Sequence, residues 1–442
     1  VTALAGFAAA LLRGQGAHAR FLQTMSVQVL MMAVNIGTGL FIARLLGPEG
    51  RGSLAAIVFW PQFIASLVLA GLPYALIYHL RGVPEARRPI FGAGLVISTA
   101  LGVLGVVAGY FGIPYAMSQG FPPDVVEYAR VGVVITVAST VAMLLKASLG
   151  ALDRQGLANR FGLADPVLYL LLLLVAAVTV PVTPQVAATC LYVATALTLG
   201  AVLVTLRGDM PPRFAGIGRW FGPVGGYALR AAPAGMLSNL SYHLDRLVLV
   251  AMITPHELGL YAVAFSLSRL MEVVKSTIAS VGMAAMAGRP EAEVKALHDR
   301  VFRFVLYAVT VIVIGGLLFG GLAITLVYGQ DFGPANAFFR VLVVEAALSC
   351  LGQVASQLFF SLGRPGQVSL AQGISFVASL ATMLALVPAM GAMGGAIGLF
   401  VGTAVRLGVL LGAIRLTLRL PLPGLLPLPG EIRMFWRSLV RV

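Results

Sequence analysis

Twelve mostly apolar stretches follow one another along nearly the whole of this chain, at 21–45, 53–80, 90–113, 125–148, 161–180, 184–206, 226–252, 258–286, 303–326, 335–362, 368–388 and 392–415. A helix needs about 20 such residues to cross the hydrocarbon core of a bilayer. The breaks between them are short, and several carry Pro or Gly, as at Pro48, Pro114, Pro181, Pro255 and Pro365. Composition agrees. Of 442 residues, 59% are hydrophobic and 10% charged, whereas a typical soluble domain is about 25% charged. The chain has too few charges to cover a water-facing surface, so it reads as an all-α integral membrane protein.

Lys and Arg in the loops give the orientation. One side carries 21 of them, including Arg81, Arg87, Arg88, Lys146, Arg213, Arg300 and Arg415, and the other only Arg44 and Arg51. Both termini are therefore expected in the cytoplasm. The net charge of +14 does not argue for nucleic acid, because the basic residues are scattered through short loops and form no stripe. Residues 3–12 suit an interfacial helix rather than a signal peptide. Cys190 and Cys350 lie within apolar runs, where small buried thiols are common and no metal or redox spacing exists.

Charges inside the spans carry the functional signal, since each costs roughly 2.5–3.5 kcal/mol at a helix centre and needs a partner or a wet cavity. They include Arg246, Arg269, Lys275, Arg406, Asp165, Asp245, Glu272 and Glu345. Asp245 and Arg246 are neighbours, about 100° apart around a helix, and do not simply neutralise each other. Asn239, Tyr242, His243 and Arg246 instead follow the i, i+3, i+4, i+7 spacing of one polar face. A lone His243 reads as a hydrogen-bonded structural residue, and no metal site is expected. Arg269, Glu272 and Lys275 recur every three residues; Glu272 reaches either cation, which leaves one over.

The chain also repeats itself. "ARLLGPEGRGSLA" at 43–55 aligns with "VAMITPHELGLYA" at 250–262, and "LDRQG" at 152–156 resembles "LGRPG" at 362–366. Two six-helix halves around a central cavity follow, organised as 1–206, a cytoplasmic linker 207–222, a second half 223–416 and a basic cytoplasmic tail 417–442. Repeat-built transporters place their substrate site at such an interface. The 207-residue offset pairs Asn35 with Tyr242, Thr38 with Asp245, and Gln62 with Arg269. The first half is thus expected to line the cavity with neutral groups and the second with charges. Pro61 and Pro73 are expected to interrupt the second span and Pro233 the seventh, as hinges that open the cavity sideways. Gly394, Gly398 and Gly402 recur every four residues and predict close helix packing, with Arg406 continuing their face.

These motifs, with "LDRLVLVAMITPHELGLYAVAFS" at 244–266, resemble the Wzx-type lipid-linked oligosaccharide flippases of the multidrug/oligosaccharidyl-lipid/polysaccharide exporter superfamily. The resemblance extends over roughly 21–416, with Thr254 standing where the family usually has Gly. It implies transfer of undecaprenyl-diphosphate-linked oligosaccharide from the cytoplasmic to the periplasmic leaflet of a bacterial inner membrane, for surface polysaccharide or O-antigen assembly, by alternating access. A diphosphate calls for Arg or Lys, so Arg269, Arg246 and Lys275, with Asn35, Gln62 and Tyr242, are the expected substrate contacts. Asp245, Glu272 and Glu345 form the expected coupling or charge network. No cofactor is called for; a proton, sodium or the membrane potential drives the step. The partners are the lipid-linked glycan, membrane lipids, and a polymerase or ligase acting afterwards. A multidrug cation antiporter of the same superfamily is the alternative, disfavoured by the cationic set. A membrane glycan polymerase or ligase is disfavoured by the short external loops and the lack of a catalytic constellation. An ATP-driven pump is excluded by the absence of a phosphate-binding loop.

Overall fold

The computed structural model describes residues 17–117, 120–209, 211–271, 275, 278, 286 and 290–424. The interfacial segment at 3–12, Glu272 and the tail beyond 424 lie outside the described residues. All described regular structure is helical, and nine helices are long and apolar enough to cross a membrane. In chain order the α-helices of the described residues are α1 (Ala17–Val68), α2 (Leu72–Gly82), α3 (Arg87–Met117), α4 (Pro123–Gly132), α5 (Thr136–Ala151), α6 (Gln155–Thr179), α7 (Pro184–Asp209), α8 (Gly218–Met252), α9 (Pro255–Ser268), α10 (Glu291–Tyr328), α11 (Ala335–Ser361), α12 (Pro365–Met390) and α13 (Ala392–Leu416). The chain forms two compact units, Val1–Gly259 and Leu260–Val442.

In the first unit, α1 holds two of the expected spans. Its arms meet at Gly47, whose φ of 65° and ψ of −177° break the helix. A residue with a side chain resists positive φ, so glycine there allows a turn without a loop. Pro48 then opens the second arm, where its missing N–H is no loss. This turn and its repeat equivalent interlock. A β-carbon at Gly52 would stand 1.7 Å from the Pro255 carbonyl oxygen, and one at Gly259 would stand 1.8 Å from that of Pro48. Each repeat thus offers a glycine to the other's proline carbonyl, at positions 207 apart in sequence.

The second arm of α1 is broken lower down, with consequences for two of the expected hinges. Pro61 stays inside the helix. It cannot bond the Ile57 carbonyl, and the Tyr192 hydroxyl of α7 donates to that oxygen instead (3.3 Å). Pro73 does not kink a helix interior, which corrects the expectation. The chain already breaks at 69–71, and Pro73 sits in the first turn of α2, where it is tolerated. At that break the Ala70 N–H turns to the Leu67 carbonyl (3.3 Å). The Ser66 carbonyl that it leaves accepts from Asn239 Nδ2 of α8 at 2.6 Å. Pro233 lies within α8. The core beneath these helices joins Leu69, Leu72 and Leu76 to Phe91 of α3, Leu144 of α5 and Val224 of α8.

The span expected at 258–286 is not α-helical throughout. It is α-helical from Pro255 to Ser268 and then tightens into a 3₁₀ turn at Arg269–Met271. Two serines bond back to the turn before it. Ser266 Oγ donates to the Ala262 carbonyl (2.7 Å) and Ser268 Oγ to that of Phe265 (2.8 Å). Such back-bonding competes with the helical ladder and bends it. Farther on, the glycine face of α13 packs on α12 as its spacing predicts. β-Carbons at Gly394, Gly398 and Gly402 would meet Leu386, Met383 and Ser379 at 2.3–2.7 Å. Ser375 and Ser379 donate across this contact to the Gly402 and Gly398 carbonyls at 2.7 and 2.9 Å. Leu358 and Phe359 of α11, Ala371 of α12 and Leu410 of α13 form the core of the second unit.

Candidate functional site

Within the first unit, α1, α5, α6 and α7 enclose a cavity of about 490 Å³. Asn35 comes from the first arm of α1 and Gln62 from the second. The sharp turn at Gly47 folds these arms back on each other and brings the two amides to one space. α5 adds Lys146, α6 adds Asp165 and Tyr169, and α7 adds Thr195 and Thr198. The remaining wall is apolar and includes Leu145, Phe161 and Leu199. Asp165 Oδ1 and Thr198 Oγ1 are buried without a hydrogen-bond partner among the described residues.

This arrangement corrects one expectation. The polar lining of the first half is not neutral, because Lys146 and Asp165 join Asn35 and Gln62. Sequence reasoning singled out Asp165 as an intramembrane acid but placed Lys146 in a loop. It could not join them, since they come from different helices and share no periodicity. The neighbouring Asp165–Pro166 pair, a charge beside a proline within an apolar helix, was the available signal.

The predicted polar face of α8 divides. Asn239 caps the Ser66 carbonyl. His243 is buried against Phe59 and Phe63, with ring centroids 6.0 and 5.7 Å away and near-perpendicular planes. Its Nδ1 has no hydrogen-bond partner among the described residues, and aromatic packing holds the ring. These two residues tie α8 to α1. Tyr242 is 59% exposed and Asp245 only 1%, while Arg246 is half-buried. Asp245 and Arg246 both have interactions within the protein, which answers how a membrane helix tolerates them side by side.

In the second unit, Arg269 stands in the 3₁₀ turn, half-buried, with its guanidinium carbon 4.3 Å from the centroid of Phe265. A cation over an aromatic face is stabilised, and Arg269 has a further interaction within the protein. Lys275 is helical and half-buried. Glu345 of α11 is 3% exposed and accepts a hydrogen bond from Thr403 Oγ1 of α13 at 2.8 Å. Arg406 donates to Ser356 Oγ at 3.2 Å and feels the charge of Glu345. It is thus a member of a packed network, in keeping with its place on the glycine face.

Solved structures identify the fold of this multi-pass helical chain. The chain is similar to an inward-facing multidrug resistance MATE family transporter of the MOP superfamily, with 17% identity, a TM-score of 0.70, and coverage of 88% of this chain and 95% of that one. It is similar to the lipid II flippase MurJ in an inward closed conformation, with 11% identity, a TM-score of 0.75, and coverage of 95% and 91%. It is also similar to a MOP superfamily transporter from Pyrococcus furiosus with a binding pocket of reversed polarity, with 16% identity, a TM-score of 0.62, and coverage of 92% and 97%. The fold is that of the MOP-superfamily transporters. A search of curated protein sequences returns no match. Residues 41–337 match the family described as polysaccharide biosynthesis protein, and the chain belongs to that family.

Proposed function

We propose that this protein is an alternating-access flippase that carries undecaprenyl-diphosphate-linked oligosaccharide from the cytoplasmic to the periplasmic leaflet. The observation that carries the reading is membership of a polysaccharide biosynthesis family on a MOP transporter fold. The lipid II flippase with that fold supports a lipid-linked substrate. Arg269, Arg246 and Lys275 supply charge and forked donors for the diphosphate, while Asn35, Gln62 and Tyr242 hydrogen-bond the remainder. Asp245 and Glu345, with Glu272, serve coupling to a proton or sodium. The membrane potential assists the outward passage of negative charge by about 2.3 kcal/mol per charge per 100 mV when the inside is negative. The protein then resides in a bacterial inner membrane with both termini cytoplasmic, performs transport rather than covalent chemistry, and passes its cargo to a polymerase or ligase.

Replacing Arg269 tests this. Its repeat equivalent is neutral Gln62, so Arg269→Gln keeps a hydrogen-bonding side chain and removes the charge. In proteoliposomes Arg269→Gln should insert normally and flip lipid-linked glycan at least tenfold more slowly, because charge-assisted contacts are about twice as strong as neutral ones. Arg269→Lys should retain part of the rate. A native rate in Arg269→Gln removes Arg269 from the substrate site.

A further inference from the structure

The cavity of the first unit has a chemistry that a diphosphate does not explain. Its charged members are one cation, Lys146, and one carboxylate, Asp165. A carboxylate oxygen repels a phosphate oxygen, and the balanced pair offers no net positive field for an anion of two or more charges. The rest of the polar lining, Asn35, Gln62, Thr195 and Thr198, can both donate and accept hydrogen bonds. A ligand that meets such a set must itself present groups able to donate and accept at closely spaced points. A polyol does this: each hydroxyl gives one hydrogen and accepts through two lone pairs.

Two details point the same way. Asp165 Oδ1 and Thr198 Oγ1 are buried with no partner among the described residues, although buried polar oxygens are almost always bonded. Leaving such an atom unsatisfied is costly. Both residues line the cavity, so a turn of either side chain toward a bound ligand would let its hydroxyls complete these oxygens. Phe161 and Tyr169, one turn to either side of Asp165 on α6, line the cavity with it, and an aromatic face suits the C–H face of a sugar ring. The cavity volume of about 490 Å³ falls in the ordinary range of roughly 300–1,000 Å³ for small-molecule sites.

We infer that this cavity is a sugar subsite that reads the glycan of the transported lipid through Asp165, Thr198, Asn35 and Gln62, apart from the diphosphate contacts. The inference rests on the flippase reading and adds to it the place where the glycan is distinguished. A site built to hydrogen-bond a hydroxyl discriminates strongly against a ligand that lacks it, because its polar groups are then left unpaired. The subsite therefore sets which glycan is carried, while the cationic residues set that the cargo is a diphosphate.

The test uses the full chain in nanodiscs with two probes: undecaprenyl diphosphate, and the lipid-linked glycan purified from cells depleted of this protein. Wild type should hold the glycan-bearing lipid at least about tenfold more tightly than the bare lipid, the factor equal to 1.4 kcal/mol. Thr198→Val keeps the shape and removes the hydroxyl. It should erase most of that ratio and leave the affinity for bare lipid unchanged, with Tm unchanged or raised because an unsatisfied group is gone. Asp165→Asn and the cavity-filling Ala142→Trp should erase it likewise. Equal binding of both probes by wild type overturns the subsite and leaves the flippase reading standing. So does an unchanged ratio in all three variants, an equal loss for both probes, or a change confined to pH or sodium dependence. If wild type holds neither lipid, the flippase reading fails. The released glycan then serves as a third probe: binding that Thr198→Val abolishes upholds the subsite, and no binding overturns it.

Discussion

Alanine at Gly52 should pry apart the two turns that interlock in the first unit. The added β-carbon would stand 1.7 Å from the Pro255 carbonyl oxygen, whereas ordinary contact begins near 3.4 Å. The segments must separate by about 1.7 Å, since the opposing atom is backbone and no side chain can rotate away. Overpacking of this kind costs typically 1–3 kcal/mol. A unit of this size loses about 2–4 °C per kcal/mol, so Tm of the purified protein should fall by roughly 2–12 °C. Gly259→Ala should match it, because its β-carbon meets the Pro48 carbonyl at 1.8 Å. The double variant is the sharper measurement. Once one β-carbon has parted the turns, most of the room for the second exists, so the combined loss should be close to one single loss rather than to their sum. Gly37→Ala is the control; nothing lies within 4 Å of its added carbon, and Ala in a helix is favoured over Gly by about 0.5–1 kcal/mol. If Gly52→Ala leaves Tm where Gly37→Ala does, or if the two losses add fully, the turns do not bear on each other as described.

Three further outcomes are expected. With Cys190 and Cys350 replaced by Ala, a cysteine at Arg300 should react with an impermeant thiol reagent only from the cytoplasm and one at Asp331 only from outside; reversed labelling inverts the direction of transport. Tyr192→Phe leaves the Ile57 carbonyl without its donor and should lower stability by about 1–3 kcal/mol, read as a Tm decrease; an unchanged Tm means that water or another group already serves that oxygen. Asp245→Asn and Glu345→Gln should alter the pH or sodium dependence of transport in proteoliposomes, and native dependence in both variants makes these acids structural.

The parts of the fold that sequence reveals are those written in local spacing. Apolar length marks the spans, the four-residue glycine interval of α13 marks its contact with α12, and the matching of Pro48–Gly52 with Pro255–Gly259 marks the repeat before any coordinate is known. Asn35 and Gln62 were legible as a polar pair through that repeat. Lys146, Asp165 and Thr198 were not legible as a set, because only tertiary packing gathers three helices around one space. The tightening at Arg269 was also hidden, since helical periodicity predicts an unbroken helix there. Pro73 misled for a related reason: a proline reads as a kink in a long apolar run unless a break just before it is seen.

The donors on Ile57 and Ser66 bear on how the first unit can move. Inside a hydrocarbon layer a carbonyl stripped of its donor finds no water, and each such loss costs several kcal/mol. The two interruptions in the second arm of α1 are therefore clamped joints rather than free swivels, one held by Tyr192 of α7 and the other by Asn239 of α8. A motion that bends this arm must carry α7 and α8 along as one lever, or admit water to the joint at the moment it opens.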